Sequence, residues 1–243
     1  MDDEHIDELN EEPYIPPTPI TVARRALILS AVVCRAFLES YTDEPYKRET
    51  VDDIHEWFDE LDLWPQVEPD ECEIVRAPFG KMSKWSQVRG TWYVEGLAIL
   101  AWALQRGEFP AHHEQVDPIA VTNALNFLDP DAEQLLRSPN LRELAELQAA
   151  REWFYDVHCK VRGFLNRGTE SHVSDWIGEQ LTILKIDPTT VIREGNLTVA
   201  GKLLRDTNRE WLEDWESVIC ERHRAAIWLV GEDPLYTEIS VAT

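Results

Sequence analysis

Between Gly90 and Gln105 the chain reads Thr-Trp-Tyr-Val-Glu-Gly-Leu-Ala-Ile-Leu-Ala-Trp-Ala-Leu. On a helix this stretch is apolar in nearly every direction. A surface helix buries one stripe, whereas a helix apolar all round has to be enclosed by others. The fold is therefore expected to be mainly α: a multi-helix single domain built around a helix running from about Ser83 to Arg106 and ended by Gly107 and Pro110. A hydrophobic content of 44% with ten Trp residues supplies enough apolar surface for that enclosure. No run of about 18 apolar residues occurs, so a membrane span is not expected.

The enclosing helices are read from caps and periodicity. Thr18 followed by Pro19 starts a helix whose apolar series Ala26, Leu29, Val33, Ala36, Phe37 extends to about Tyr41. Thr50 with Asp53 resembles a capping box opening a second helix that carries Ile54, Trp57, Phe58 and Leu61 and ends at Pro65. Pro69 opens a short helix that stops before Pro78. Asp117-Pro118, Asp129-Pro130 and Ser138-Pro139 each set a side-chain acceptor before a proline, the pattern of a helix start. They predict three successive helices, the third running to Arg167 with Leu141, Leu144, Phe154, Val157, Val161 and Phe164 inward and Gly168 as its cap. Residues 171–184 hold another short helix. Val191-Ile192 and Asn196 to Val199, with Gly195 and Gly201 at turn positions, predict a small β-hairpin within residues 190–204. A last long helix from Thr207 to Val230 turns Trp211, Trp215, Val218, Ile219, Ala225, Ala226 and Leu229 inward.

Ahead of the first helix, residues 1–12 contain seven acidic side chains, and four prolines follow up to Pro19. Residues 1–19 are thus expected to be a disordered acidic and proline-rich tail, with the helical domain occupying 20–243. Over the whole chain 46 Asp and Glu face 23 Lys and Arg, a formal charge of -23. That balance repels phosphate backbones and anionic membranes, so neither nucleic acid nor a membrane is expected as a partner, and a basic protein is. Cys34, Cys72, Cys159 and Cys220 stand singly with no C-x-x-C spacing. With the acidic N-terminus, this predicts a reducing, cytoplasmic setting.

Polar groups set into apolar faces are the candidates for chemistry. Glu95 is the only charge in the central apolar stretch, and Arg222 interrupts the stripe of the last helix, so the two are expected to pair. His158 and Arg162 lie four apart on one side of their helix. Glu95, His158, Arg162, Glu221, Arg222 and His223 together form the candidate catalytic group, with a Glu or His as general base and an Arg as anion clamp. A buried ion network joining three helices accounts for the same residues and is preferred. Cys220 and His223, with His158 or His112-His113, are the residues a metal would use. Their spacing is scattered, so no metal and no cofactor is expected. Phosphate-loop, dinucleotide-fold, nucleophile-elbow and zinc-protease motifs do not occur. One basic island, Arg76, Lys81, Lys84 and Arg89 among Phe79, Trp85 and Trp92, breaks the acidity.

Three of these segments carry a family resemblance. Trp92-Tyr93-Val94-Glu95-Gly96-Leu97 with Leu100-Ala101-Trp102-Ala103-Leu104 resembles W-R-x-E-A-L followed by L-x-W-A-L in a bacterial family, domain of unknown function 4272. His158-Cys159-Lys160-Val161-Arg162 is similar to its H-W-A-x-R, and Glu221 to Leu229 to its E-R-H-x-A-L-N-W-L. Tyr93, Cys159 and Ile227 depart from those patterns. The resemblance extends over roughly residues 20–243 and implies an α-rich cytosolic bacterial domain, with no activity to carry over. The leading expectation is a protein-binding or regulatory domain of the inhibitor or immunity type that meets a basic partner. The alternative is a hydrolase-like enzyme using the Glu/His/Arg group.

Overall fold

A computed structural model describes residues 15–41 and 44–241. The expected tail lies outside the described residues up to position 14. The described residues are mainly α, with one small three-stranded antiparallel sheet. Four long helices form the frame: α1 (Pro19–Leu38), α4 (Lys84–Ala103), α7 (Leu144–Arg167) and α10 (Arg209–Leu229). They pack in the spatial order α1, α4, α10, α7. The central apolar helix α4 is thus held between α1 and α10, and Tyr93, Leu97, Ile99 and Leu100 have no exposed surface. Two glycines allow the close approach. A Cβ on Gly90 would lie 2.7 Å from that of Ala36 in α1, and one on Gly96 would lie 3.2 Å from the Glu221 carbonyl of α10. No helix among the described residues is long and apolar enough to cross a membrane.

Shorter elements fill the ends: α2 (Glu44–Glu60), α3 (Pro69–Arg76), α5 (Pro118–Ala124), α6 (Ala132–Arg137), α8 (Ile177–Ile183) and α9 (Pro188–Val191). Side-chain caps hold at several starts, Thr18 and Asp117 as read from sequence and Ser83 in addition. Thr18 Oγ1 accepts from Thr21 N–H at 3.3 Å, Ser83 from Ser86 N–H at 3.0 Å and Asp117 from Ile119 N–H at 3.0 Å. Gly168 closes α7 in the left-handed conformation at φ 69°.

Other boundaries moved. Helix α2 begins at Glu44 rather than Thr50, because Pro45 sits in the first turn where no donor is missed. Thr50 lies inside it, its hydroxyl donating back to the Tyr46 carbonyl at 2.9 Å. Helix α4 stops at Ala103, and the chain reverses at Gln105 (φ 58°) ahead of Gly107. Asp129 does not cap a helix at Pro130. Its carboxylate accepts from Asp131 N–H at 2.8 Å, making a turn before α6. Ser138-Pro139 leads into non-helical chain, where Arg142 N–H donates to the Ala103 carbonyl at 2.9 Å, and α7 starts only at Leu144. Leu144 and Trp211, expected inward, are 47% and 38% exposed because each lies in the first turn of its helix, beyond the frame.

The expected hairpin is a three-stranded meander of β1 (Ile192–Arg193), β2 (Asn196–Val199) and β3 (Lys202–Leu203). Its two-residue turns, Glu194-Gly195 and Ala200-Gly201, have positive φ at both positions (55° and 75°, 48° and 73°), the conformation whose twist matches paired strands.

Candidate functional site

Glu95 of α4 and Arg222 of α10 face each other across the frame, 1% and 0% exposed. Arg222 Nε and Nη2 donate to Glu95 Oε2 at 2.9 and 2.7 Å. Each partner also holds the loop after α4. Arg222 Nη1 donates to the Ala111 carbonyl at 2.7 Å and Nη2 to that of Glu114, while Val116 N–H donates to Glu95 Oε1 at 3.1 Å. Burial pushes the Glu95 carboxyl above the ordinary range, opposed by the Arg222 charge. The pair is therefore a clamp on residues 111–116, a role that the sequence did not reveal.

His158 and His223 meet elsewhere, between α7 and α10. Their Nδ1 atoms are 3.3 Å apart, so one carries the proton and the other accepts it. His158 Nε2 is 3.5 Å from Glu216 Oε1, and a hydrogen bond from His158 holds the Glu216 carboxyl below its usual range. Burial, aided by the neighbouring His158 and Arg151, lowers His223 to about 3. Glu216 was missed in the sequence although it stands two turns before His223 on the same helix face. Arg162 Nη1 donates to the Val241 carbonyl at 3.4 Å. Glu221 pairs with Arg224 near Tyr93 and Tyr236, and burial raises its carboxyl above the usual range. The six candidate residues thus occupy separate places. Glu95 and Arg222 form one, His158 and His223 a second, and Glu221 a third, with Arg162 turned toward the C-terminal segment.

A further buried network also escaped the sequence reading. Arg25 of α1 pairs with Glu71 and with Glu68 (2.5 Å), and Glu68 accepts from the Tyr236 and Thr237 N–H groups at 3.0 and 2.7 Å. Burial raises Glu71 to about 7 against the pull of Arg25. The only local signal was Glu-Pro-Asp-Glu at 68–71, in which Glu71 accepts from the Glu68 N–H at 2.8 Å.

Glu221 reaches the surface in a groove of about 530 Å³ between the first half of α4 and the middle of α10. Its rim carries Trp85 (66% exposed) and Val88 (41% exposed), with Trp92 behind them. Asp70, Glu216 and Glu221 contribute carboxylates, and Arg89 and Arg224 line the groove as well, paired with Asp70 and Glu221, which leaves Glu216 as the carboxylate not tied to an arginine. Two cations of the basic island are engaged within the fold, while Lys81 and Lys84 are exposed. Arg89 is paired with Asp70, donates to the Thr237 carbonyl at 3.0 Å and lies over the rings of Trp85 and Tyr93, and Arg76 lies 4.3 Å over the Trp64 ring.

Among the described residues no three of His, Cys, Asp and Glu gather where a metal ion would be held. His112 Nε2, 2.7 Å from the Thr198 carbonyl, is engaged in the fold, and burial lowers this imidazole to about 4.

No curated protein and no solved structure matches the chain. A family model described as "Domain of unknown function (DUF4272)" matches residues 4–174. The segments Trp92–Leu104 and His158–Arg162 fall within that match, and Glu221–Leu229 lies beyond it, supplying the Arg222 that clamps the loop inside the match. With more than half of its 243 residues matched, the chain belongs to the DUF4272 family.

Proposed function

We propose that this domain is a protein-binding or regulatory module, of the inhibitor or immunity type, that receives a basic segment of a partner in the groove between α4 and α10. The observation that carries the reading is Trp85, a large aromatic side chain left 66% exposed at the rim of a groove furnished with carboxylates. Exposed aromatic side chains beside a pocket anchor interfaces, and a Lys or Arg set against Trp faces and carboxylates gains both cation–π and Coulomb attraction. The charge of -23 favours encounter with such a segment over nucleic acid or an anionic membrane. The hydrolase alternative is disfavoured by burial and separation, since only Glu221 of its six residues lines the groove and it is paired with Arg224. Glu95, His158, Arg222 and His223 are at most 2% exposed, whereas a catalytic group has to meet substrate in a concave opening.

A photo-crosslinking residue at Val88, introduced in the native host, tests this. It is expected to trap one discrete basic protein, and Trp85→Ala or Trp85→Lys is expected to abolish the product without lowering the melting temperature, because Trp85 is mostly exposed. A product that survives both substitutions, or one given equally by a crosslinker at exposed Ile119, refutes the reading.

A further inference from the structure

We infer that the groove between the second half of α4, the loop that follows it and α5 is a binding site for a linear aliphatic polyamine. The groove encloses about 400 Å³, within the range of about 300–1,000 Å³ usual for small-molecule sites. Its floor is built from methyl groups: Ala98 of α4, Val116 of the loop, and Ala120, Val121 and Ala124 of α5. Ala120 is exposed and Val116, Val121 and Ala124 are half-buried, so this surface is open to a ligand. Phe109 is the only aromatic ring in the lining, and its contacts are taken: it stacks on Phe154 at 5.3 Å and meets Trp102 edge to face at 5.0 Å. A surface of small aliphatic groups suits a methylene chain, which can touch it along its length.

The charge of the groove has one sign. Glu108, Glu114 and Asp117 contribute carboxylates, all three residues being exposed, and the lining contains no Lys, Arg or His. Arg222 donates to the Glu114 carbonyl from below, but it has no exposed surface and its charge is met by Glu95. Arg106 and His113 stand outside the lining, His113 with Nε2 3.5 Å from Glu114 Oε1. Glu108 has no hydrogen-bond or ionic partner among the described residues, and Asp117 uses one oxygen to cap α5. The groove therefore selects a cation. Its carboxylates do not converge, since among the described residues no three acidic, His or Cys side chains gather where one metal ion would be held. A single small ion cannot serve all three. Ammonium groups spaced along a hydrocarbon chain can reach separate carboxylates while the methylenes between them lie on the apolar floor, the division of labour seen in a lysine stem and its head.

The buried Glu95–Arg222 pair shapes this groove without lining it. The three loop residues it holds, Ala111 and Glu114 by their carbonyls and Val116 by its N–H, are all wall residues of the groove. The loop wall is thus set before a ligand arrives, which reduces the ordering cost of binding.

Calorimetric titration of the full chain with spermidine, hexaamminecobalt(III) and n-butylamine, at about 0.15 M salt to screen the general acidity, tests the assignment. Hexaamminecobalt(III) has the triple charge of spermidine without its methylenes, and butylamine has a single ammonium. Spermidine is expected to saturate one site and to bind the most tightly of the three. Glu108→Gln and Glu114→Gln should each weaken it about threefold, and together about tenfold, the scale of exposed ion pairs. Glu56→Gln, which removes an exposed charge from α2, and Trp85→Ala, in the α4–α10 groove, should leave the spermidine Kd as it was, so this site and the protein-binding groove can fail separately. Absence of saturable spermidine binding, equal binding of spermidine and either other cation, a Kd unchanged in the double variant, or a loss with Glu56→Gln as large as that with Glu108→Gln would each overturn the assignment.

Discussion

Removing either member of the Glu95–Arg222 pair should destabilise the fold, but with opposite responses to pH. In Arg222→Met the Glu95 carboxylate keeps one backbone donor, Val116 N–H, and loses its counter-charge while remaining buried. An isolated carboxylate there takes up a proton. Against an ordinary carboxyl value of 4.5, holding that proton at pH 7 costs about 1.36 × 2.5, or about 3.4 kcal/mol. The Ala111 and Glu114 carbonyls also lose their donor, adding about 1–3 kcal/mol each, independent of pH. Folding of this variant binds a proton that the unfolded chain does not hold above pH 4.5. Its stability relative to wild type therefore rises as pH falls from 7 toward 4.5, by at most about 2 kcal/mol between pH 7 and 5.5.

Glu95→Ala leaves the guanidinium instead. Arg cannot shed its proton at any of these pH values, so the cost of about 3–5 kcal/mol should not be relieved as pH falls. Urea denaturation followed by far-ultraviolet circular dichroism at pH 7 and 5.5, for wild type and both variants, provides the comparison. Equal pH dependence for the two variants, or a loss below about 1 kcal/mol in either, would show that the pair is not the desolvated clamp described above.

Two further expectations follow from buried groups. A Cβ on Gly96 would lie 2.0 Å from Tyr236 Oη and 3.4 Å from its Cζ, so Gly96→Ala should cost about 1–3 kcal/mol. Tyr236→Phe should restore most of that loss while costing little alone, since the hydroxyl has no partner among the described residues. Melting temperatures of the two single variants and the double variant decide it. His223, near 3 in the folded chain and 6.5 in the unfolded one, makes the unfolded state the better proton binder between those values, so its contribution is intact above pH 6.5 and is lost on acidification. His223→Phe should therefore lose about 2 kcal/mol less than wild type between pH 7 and 5 in urea titrations, and equal losses would rule that out.

Local rules carried the long helices. Thr18-Pro19, Ser83 and Gly168 act within one turn of where they stand, and the all-round apolar character of α4 required neighbours on two sides. Glu95 and Arg222 were legible for a related reason: a charge interrupting an apolar face needs a counter-charge, and each helix offered one. What the sequence did not reveal depends on which backbone groups the fold carries to those charges. Ala111, Glu114 and Val116 show no pattern of their own, and Arg222 lies 111 positions from the first of them. Thr50 misled because a hydroxyl bonds backwards inside a helix as readily as it caps one.

The buried charges therefore bear on function through backbone rather than through reactivity. The loop between α4 and α5 crosses the end of the frame with few apolar side chains of its own between Ala111 and Gln115, and hydrophobic packing alone would hold it loosely. A guanidinium spreads several donors in one plane, and Arg222 uses them to tie two carbonyls of that loop and one carboxylate together. Lysine at 222 would supply the charge without the fork. An apolar pair would spare the desolvation of two ions but leave three backbone groups without partners. That difference explains why an ion pair at this position is not interchangeable with a well-packed hydrophobic one, although many buried salt bridges are. It also sets the order in which damage should spread: the loop loosens first, then the wall it forms around Phe109 and His112, and the α4–α10 contact only afterwards.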